Sequence, residues 1–307
     1  MQARTKMNKG RTDAVVPVPA ATIVLVRERR NELQALLLKR SATSRFMGGN
    51  YVFPGGRVET ADDNLPLWRA HLDCAAEEIA ARIGEDAAGN QILATAVAAI
   101  RETFEETGVL LAHGRKSTTD ALGTIHGERL SGRLPPDWLQ RLAVKKGWII
   151  ELSRLFRWSR WVTPEQMRYR YDTWFFLARM PQDQVCLPDM RETVHHLWIS
   201  PGDALRKNLS GKVPLSPPTL LTLHEMLPYT RLQSILEAAT GRSWGRPLKP
   251  RLISDGGEKI ILEPWDPDYH RSQVRLQDLV SGLQVAPVGA SFSKLWYSEG
   301  VWKPLTS

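Results

Sequence analysis

The sequence predicts an α/β fold, in which helices pack on a β-sheet. Apolar residues at 21–26 and 33–39 flank a charged turn, as expected for two neighbouring strands. A long helix-forming run further along the chain places Val97, Ile100 and Phe104 on one apolar stripe. Because such a stripe must be buried, we expect this helix to pack on the sheet.

The rest of the chain alternates between strand-like and helix-like segments. Strands are predicted at residues 148–152, 155–162 and 171–178, and short helices at residues 138–144, 219–226 and 230–239. Residues 67–83 have helical apolar spacing, whereas residues 112–147 are otherwise polar and broken by Gly and Pro. Residues 271–307 contain no motif, and the chain has no internal repeat.

The composition is that of a soluble globular protein with an anionic partner. The 307 residues are 24% charged and 42% hydrophobic. No apolar run approaches the ~18 residues that a membrane span needs. The net charge of +8 suits phosphorylated small molecules or nucleic acid, although a generally basic surface would give the same value.

Cysteine usage indicates a reducing compartment. Cys74 and Cys186 are too few for a disulfide framework or a metal cluster. The sequence ends in Leu-Thr-Ser, which is not a peroxisomal address. We therefore expect a cytoplasmic protein that does not enter a membrane.

The most informative stretch is acidic and lies at the end of the long helix that begins near Gln91. It reads Arg101-Glu102-Thr103-Phe104-Glu105-Glu106-Thr107-Gly108-Val109. Glu102, Glu105 and Glu106 share one helix face, where like charges repel. A hard divalent cation would turn this repulsion into a binding site, and a solvated acidic face is the alternative. Gly108 occupies the position of a left-handed helix C-cap.

A glycine turn upstream is the second informative stretch. It reads Phe53-Pro54-Gly55-Gly56-Arg57-Val58-Glu59-Thr60-Ala61-Asp62. Paired glycines let the backbone approach a ligand closely, so Gly55 and Gly56 could offer backbone groups to a metal or to phosphate oxygens. The alternative is an ordinary turn.

Together the two stretches resemble the signature of the Nudix hydrolases. Three features depart from that pattern: Asp62 stands where the family has Glu, Thr103 fills an apolar slot, and 38 residues separate Asp62 from Arg101 instead of a short spacer. A signature split in this way is similar to that of the peroxisomal coenzyme A diphosphatases and their bacterial relatives. Residues 161–164, 170–176, 198–201 and 215–219 support that branch, and the resemblance covers residues 18 to 225.

The resemblance implies an α/β/α sandwich, with a mixed sheet between helices and an inserted helical segment inside the split Nudix box. We expect a flexible tail at residues 1–17 and the Nudix domain at residues 18–240, with the insertion at about 63–94. Residues 241–307 would then form a C-terminal hairpin, around Asp255-Gly256-Gly257, and a tail of unknown role.

The resemblance also implies metal-dependent hydrolysis of a phosphoanhydride. Mg²⁺ or Mn²⁺ would be held by Glu105 and Glu106, with Glu102 and the Gly55 carbonyl as further ligands. Glu102 or Glu192 would act as the base, and Asp189 and Glu165 are alternatives to Glu192. Arg101 would pair with Asp62 or Glu59 and hold the glycine loop against the helix.

Coenzyme A or an acyl-coenzyme A is the substrate that this branch implies, giving 3′,5′-ADP and a phosphopantetheine. Four residues are expected to bind it: Arg40, Arg45, Gly56 and Arg57.

ADP-ribose or NADH pyrophosphatase and nucleotide-sugar hydrolase are alternative activities. A non-catalytic ligand sensor or regulator, and a catalytically silent scaffold, are alternatives of another class. The C-terminal third has no clear helix-turn-helix, so the sequence favours a small nucleotide over nucleic acid as partner. The oligomeric state stays open, a homodimer included.

Overall fold

A computed structural model describes residues 15–44, 47–75, 78, 82–84, 91–114, 119–188 and 193–306. A mixed seven-stranded sheet lies at the centre of the described part of the chain, and a five-stranded sheet from the C-terminal residues packs beside it. The predicted α/β fold with a mixed sheet is confirmed.

The strands and helices have the following bounds. The strands of the seven-stranded sheet are β1 (Val18–Arg29), β2 (Glu32–Arg40), β3 (Tyr51–Val52), β4 (Gly55–Arg57), β7 (Phe156–Val162), β8 (Tyr171–Arg179) and β9 (Thr193–Ile199). A two-stranded sheet consists of β5 (Ala112–Gly114) and β6 (Trp148–Ile150). The C-terminal sheet consists of β10 (Arg251–Asp255), β11 (Glu258–Leu262), β12 (Gln284–Val285), β13 (Lys294–Ser298) and β14 (Val301–Thr306). The helices are α1 (Leu65–Arg69), α2 (Gln91–Thr107), α3 (Thr119–Ser131), α4 (Trp138–Lys146), α5 (Pro201–Leu209), α6 (Pro217–Met226), α7 (Leu232–Thr240) and α8 (Leu276–Val280).

Strand β1 is the centre of the seven-stranded sheet. It pairs in parallel with β8 along most of its length, with Ala21 opposite Trp174. On its other side, the second half of β1 pairs antiparallel with β2, and its first half pairs antiparallel with β4, where Ala21 lies opposite Gly56. The short glycine strand is therefore fixed at one end of the sheet, next to the start of β1.

One face of the sheet is covered by the acidic helix α2. The apolar stripe predicted from the sequence is buried there: Val97, Ile100 and Phe104 lie in one core cluster with Ile23 and Trp174. Alternate residues of a strand point to opposite faces, so β1 contributes every second residue to this core. Burying the stripe leaves the acidic side chains of α2 at the edge of the sheet, beside β4.

The opposite face is covered by helices α6 and α7 and by the C-terminal sheet. Val24 and Phe175 from the central sheet share a core cluster with Leu220, Ile235 and Leu295. The outer face of the C-terminal sheet has its own small core, which α8 closes. The C-terminal residues thus form a layer of the structure.

Tertiary pairing overrides one helix predicted from the sequence. Helix α1 ends at Arg69, and residues 70–75 are not helical, so the helix predicted over residues 67–83 is wrong there. The Ile150 amide donates to the His71 carbonyl at 2.8 Å, and the Asp73 amide donates to the Ile150 carbonyl at 3.1 Å. These bonds tie residues 71–73 to β6, where Leu72 forms a parallel β-bridge with Ile150. Residues 76–77, 79–81 and 85–90 lie outside the described residues.

Two further regions contain structure that the sequence did not predict. Helix α3 lies in a segment interpreted as polar loop, because Gly123 and Gly127 lower its helix propensity and it carries little amphipathic pattern. Strands β12 to β14 lie within residues 271–307, and their hairpin turns at Glu299 and Gly300, both with positive φ. The hairpin expected around Asp255-Gly256-Gly257 is present as β10 and β11.

No described helix is long and apolar enough to cross a membrane.

Glu263, directly after β11, is a buried acid without a hydrogen-bond partner. It is 0% exposed, and neither carboxylate oxygen accepts a hydrogen bond. The neighbouring Asp266 accepts a bond from Lys294 Nζ at 2.7 Å. Burial, together with a smaller effect of the negative charge of Asp266, raises the pKa of Glu263 to about 8.

This raised pKa predicts a pH-dependent stability. Between pH 4.5 and about 8 the folded state keeps the proton on Glu263 and the unfolded state loses it. The free energy of unfolding should therefore fall as pH rises through this window, by at most about 1.4 kcal/mol per pH unit from this group. Glu263→Gln should flatten the slope, as measured by urea unfolding. Glu258→Gln, at the exposed start of β11, is the control. Equal slopes in wild type and Glu263→Gln would contradict the assignment.

Candidate active site

Arg101 of α2 joins the acidic helix to the glycine loop. Its side chain is 5% exposed, and its Nε and Nη2 donate to the two carboxylate oxygens of Asp62 at 2.9 and 3.0 Å. Nη2 also donates to the backbone oxygen of Arg57 at 2.9 Å. Nη1 donates to Glu102 Oε1 and to Glu105 Oε2, each at 3.0 Å. A single guanidinium thus binds two acids of helix α2 and two groups of the glycine loop. The loop groups are the Asp62 carboxylate and the Arg57 carbonyl oxygen.

Asp62 is the partner of Arg101, and Glu59 is not. Asp62 is 1% exposed and also accepts the Glu59 backbone N–H at 2.8 Å. The Glu59 side chain is 48% exposed and lies 4.0 Å from Arg57 Nη2. The Asp62 amide donates to the Glu59 carbonyl at 2.9 Å and so closes a tight turn. A short carboxylate therefore fits this position.

The two glycines of β4 bring backbone against the acidic helix. The Gly55 N–H donates to Glu106 Oε2 at 3.0 Å. A Cβ atom on Gly56 would lie 2.4 Å from the Glu102 carboxylate, and one on Gly55 would lie 2.2 Å from the Ala21 carbonyl oxygen. A larger residue at Gly55 would therefore force β4 away from β1, and one at Gly56 would displace the Glu102 carboxylate.

Trp138 from α4 fixes the second oxygen of Glu105. Its indole Nε1 donates to Glu105 Oε1 at 2.7 Å. The indole is 4% exposed, and its ring packs on Phe104 with the centroids 4.7 Å apart. With Arg101 on Oε2, both oxygens of Glu105 are held in place. No feature of the sequence around Trp138 predicted this contact, because it joins residues 33 positions apart.

The three glutamates of the acidic face differ in burial. Glu106 is 5% exposed, whereas the Glu102 and Glu105 side chains are 16% and 31% exposed. Burial raises the pKa of Glu102 to about 7; Arg101 opposes this shift and Glu105 adds to it. The burial of the Glu102 carboxylate thus outweighs the opposing effect of the Arg101 charge on this pKa.

Helix α2 ends as predicted at Gly108. This residue has φ +74°, and its N–H donates to the Phe104 carbonyl at 2.7 Å. A Cβ atom at Gly108 would lie 2.8 Å from His126 of α3. The C-cap therefore lets α3 pack closely against the end of the acidic helix, where Arg129 Nη1 donates to the Glu105 carbonyl oxygen at 3.2 Å.

The acidic face has the donor chemistry of a site for a hard divalent cation. The carboxylates of Glu102, Glu105 and Glu106 line one cavity, and Glu106 accepts a hydrogen bond from the backbone of β4. Carboxylate oxygens are the preferred ligands of Mg²⁺ and Mn²⁺. Within the described residues, no group of three or more Asp, Glu, His or Cys side chains is arranged so that it could hold a metal ion. Arg101 donates a hydrogen bond to one oxygen each of Glu102 and Glu105. The donor set of this face therefore fits a hard divalent cation.

A cavity of about 740 Å³ opens beside the acidic face, a size typical of ligand sites. Its charged lining residues are Arg40, Arg57, Glu59, Arg101, Glu102, Glu105, Glu106 and Arg129. Apolar walls come from β7, β8, helix α6 and the C-terminal sheet, and from Leu134, Pro135 and Pro136 before α4. Arg40 Nε is buried and has no hydrogen-bond partner.

Most residues singled out in the sequence meet at this cavity. Those that line it are Arg40, Gly55, Gly56, Arg57, Glu59, Arg101, Glu102, Glu105 and Glu106, and Asp62 lies directly behind Arg101. Glu165 is exposed and is not among the lining residues, although the adjacent Pro164 is. Arg45, Asp189 and Glu192 lie outside the described residues.

The comparisons with known proteins agree with this geometry. Residues 12–226 match the family model described as the NUDT19 Nudix domain. The chain is 28% identical to human acyl-coenzyme A diphosphatase NUDT19, over 80% of this chain and 75% of the human protein. It is 29% identical to the chicken protein of the same name, over 78% of this chain and 75% of that one.

A solved structure shows the same fold. The crystal structure of a Nudix hydrolase from Alicyclobacillus acidocaldarius matches with a TM-score of 0.55 and 27% identity, over 76% of this chain and 99% of that chain. The family match covers more than half of the chain, and it includes the glycine loop, Arg101 and all three glutamates. This chain is a Nudix hydrolase and belongs to the NUDT19 Nudix-domain family.

Proposed function

We propose that the chain hydrolyses the phosphoanhydride of coenzyme A or acyl-coenzyme A, giving 3′,5′-ADP and phosphopantetheine or its acyl derivative. The observation that carries the proposal is the Arg101 network, which joins the Asp62 loop to Glu102 and Glu105 beside a cavity. The relatives named acyl-coenzyme A diphosphatase support the choice of substrate.

Glu105 and Glu106 would hold the metal, Mg²⁺ or Mn²⁺, with Glu102 and the Gly55 carbonyl as further ligands. When bound, the cation neutralises diphosphate charge and favours ionisation of the attacking water. Glu106 is kept in place by the Gly55 N–H at 3.0 Å, and Glu105 by Trp138 and Arg101. The chain therefore orients its acids before substrate arrives, which limits reorganisation during the reaction.

Glu102 is our choice for the group that accepts the proton from water. It lines the cavity next to Gly56, and its Oε1 is held by Arg101. Glu192, the other acid considered for this role, lies outside the described residues. The hydroxide formed by this proton transfer attacks phosphorus, and the phosphoanhydride bond breaks with the second phosphate as leaving group.

Arginines would hold the phosphates. Arg40 lines the cavity and has a buried Nε without a hydrogen-bond partner, so an anionic oxygen could satisfy it. Arg57 also lines the cavity, and its side chain is 63% exposed. We keep Arg45 as a binding residue on the sequence resemblance alone.

We also propose a cytoplasmic location. Cys74 is half-buried and Cys186 is buried, both are free thiols, and burial raises the pKa of each to about 11. Such packed, weakly reactive thiols suit a reducing compartment.

The proposed activity is tested by turnover on a panel of substrates with Mg²⁺ or Mn²⁺. The panel contains coenzyme A, acetyl- and longer acyl-coenzyme A, ADP-ribose, NADH and capped RNA, with products identified by mass spectrometry. We expect release of 3′,5′-ADP from the coenzyme A species ahead of the other substrates. Faster turnover of ADP-ribose or NADH would contradict the proposed coenzyme A specificity. Absence of turnover on every substrate would favour a non-catalytic sensor or scaffold.

The proposed metal ligands predict a large loss of turnover. Glu105→Gln and Glu106→Gln should each lower kcat by orders of magnitude, because each removes a charged oxygen ligand without changing side-chain shape. Glu237→Gln, on the exposed face of α7, is the control for the chemical change. Circular dichroism checks that the variants fold. Wild-type activity in both variants would contradict the assignment of Glu105 and Glu106 as metal ligands.

Trp138 predicts a loss of metal affinity that is separable from packing. Trp138→Phe keeps an aromatic ring against Phe104 and removes the N–H that holds Glu105. Mn²⁺ affinity, measured by electron paramagnetic resonance, should fall about tenfold, as is typical when a group orienting a metal ligand is lost. Trp244→Phe is the matched control, because that indole donates to the Ile83 carbonyl oxygen. Equal affinities in the two variants would show that the contact does not position Glu105.

A further inference from the structure

The C-terminal sheet forms part of the wall of the catalytic cavity. Pro250 and Ile261 line it together with Trp161 of β7 and Phe175 of β8. Both lie beyond residue 226, where the family match ends. The cavity is therefore completed by residues that the Nudix domain itself does not contain.

This wall is fixed to the central sheet. The Leu248 amide donates to the Arg160 carbonyl at 2.8 Å, and the Val162 amide donates to the Leu248 carbonyl at 2.8 Å. Pro250 follows two residues later and is buried. Ile261 is 5% exposed and belongs to the same core cluster as Trp161. The position of the wall relative to the sheet is thus set by backbone bonds and by packing.

The wall differs in charge from the rest of the cavity. The lining cations among the described residues are Arg40, Arg57, Arg101 and Arg129, and none of them lies on β7, β8 or the C-terminal sheet. The wall offers aromatic and aliphatic surface with a few hydroxyl groups. A phosphate placed there would be desolvated without a countercharge, whereas a neutral apolar group would be stabilised.

The wall also lies far from the acidic face along the sheet. The strand order runs from β4 through β1 and β8 to β7. Three strand spacings separate the glycine strand from β7, a distance of about 14 Å. A group on this wall must therefore be joined to the scissile phosphates by a linker of comparable length.

We propose that Ile261 and Pro250 determine specificity for the apolar acyl end of the substrate, which binds between the C-terminal sheet and strands β7 and β8. This inference rests on the proposed function, because it assigns one end of an acyl-coenzyme A to this wall. The neutral pantetheine arm would span the distance from the metal site. The charged nucleotide half would stay on the side of the arginines.

The test compares variants that enlarge and reduce the space beside Ile261. The readout is the ratio of kcat/KM for a long-chain acyl-coenzyme A to that for acetyl-coenzyme A. Ile261→Ala should raise this ratio about tenfold, and Ile261→Phe should lower it about tenfold. Opposite signs are expected because one change opens the wall and the other narrows it, whereas general damage would move both ratios the same way.

The matched control is Ile260→Ala. Ile260 is the adjacent residue of β11, 0% exposed, and packs on the opposite face with Leu276 and Leu279 of α8. The same atoms are removed there, and the ratio should stay at the wild-type value. Ile261→Val is the milder change if Ile261→Ala does not fold, and it should shift the ratio in the same direction.

Three outcomes decide the inference. Opposite shifts at Ile261 with none at Ile260 support it. The inference is overturned if the Ile261 variants leave the kcat/KM ratio unchanged. It is also overturned if they lower kcat/KM equally for both substrates, as expected for a wall that binds adenine. In both cases the proposed function stands. Absence of turnover on every coenzyme A species in the wild-type chain overturns the proposed function, and the inference with it.

Discussion

The buried ion pair between Arg101 and Asp62 is the constraint on which the site depends. It joins two stretches that 38 residues separate in the sequence. Breaking a buried pair by removing one partner typically costs about 3–5 kcal/mol, because the other charge stays buried and unpaired. The same guanidinium holds Glu102 and Glu105, so the fold of the loop and the orientation of the acids are one interaction network.

Around this network each layer of the fold has a separate role. Helix α2 presents its acids at the sheet edge because its apolar stripe is buried against β1 and β8. The glycines of β4 let backbone reach Glu102 and Glu106, and α4 supplies the indole that holds Glu105. On the other face, the C-terminal sheet extends the cavity with uncharged surface. Charged side chains and uncharged surface thus line different parts of one cavity.

The sequence predicted local features well and long-range contacts poorly. The helix from Gln91, its C-cap at Gly108 and the pairing of Arg101 with Asp62 or Glu59 followed from spacing and from the family resemblance. The choice of Asp62 over Glu59 came from the structure. Residues 71–73 escaped prediction because backbone bonds to β6 override their helical pattern. The contacts of Trp138 and Ile261 join residues distant in sequence, and each is an ordinary apolar residue in its local context. Neither periodicity nor motif spacing contains that information.

Mn²⁺ binding to Asp62→Asn tests most directly whether the ion pair assembles the site. The substitution keeps the side-chain shape, leaves all three glutamates intact, and removes the charge that anchors Arg101. With folding checked by circular dichroism and thermal unfolding, Mn²⁺ affinity should fall by about tenfold or more, because the acids lose their fixed orientation. Wild-type Mn²⁺ affinity in a folded Asp62→Asn chain would show that the two halves of the split box act independently.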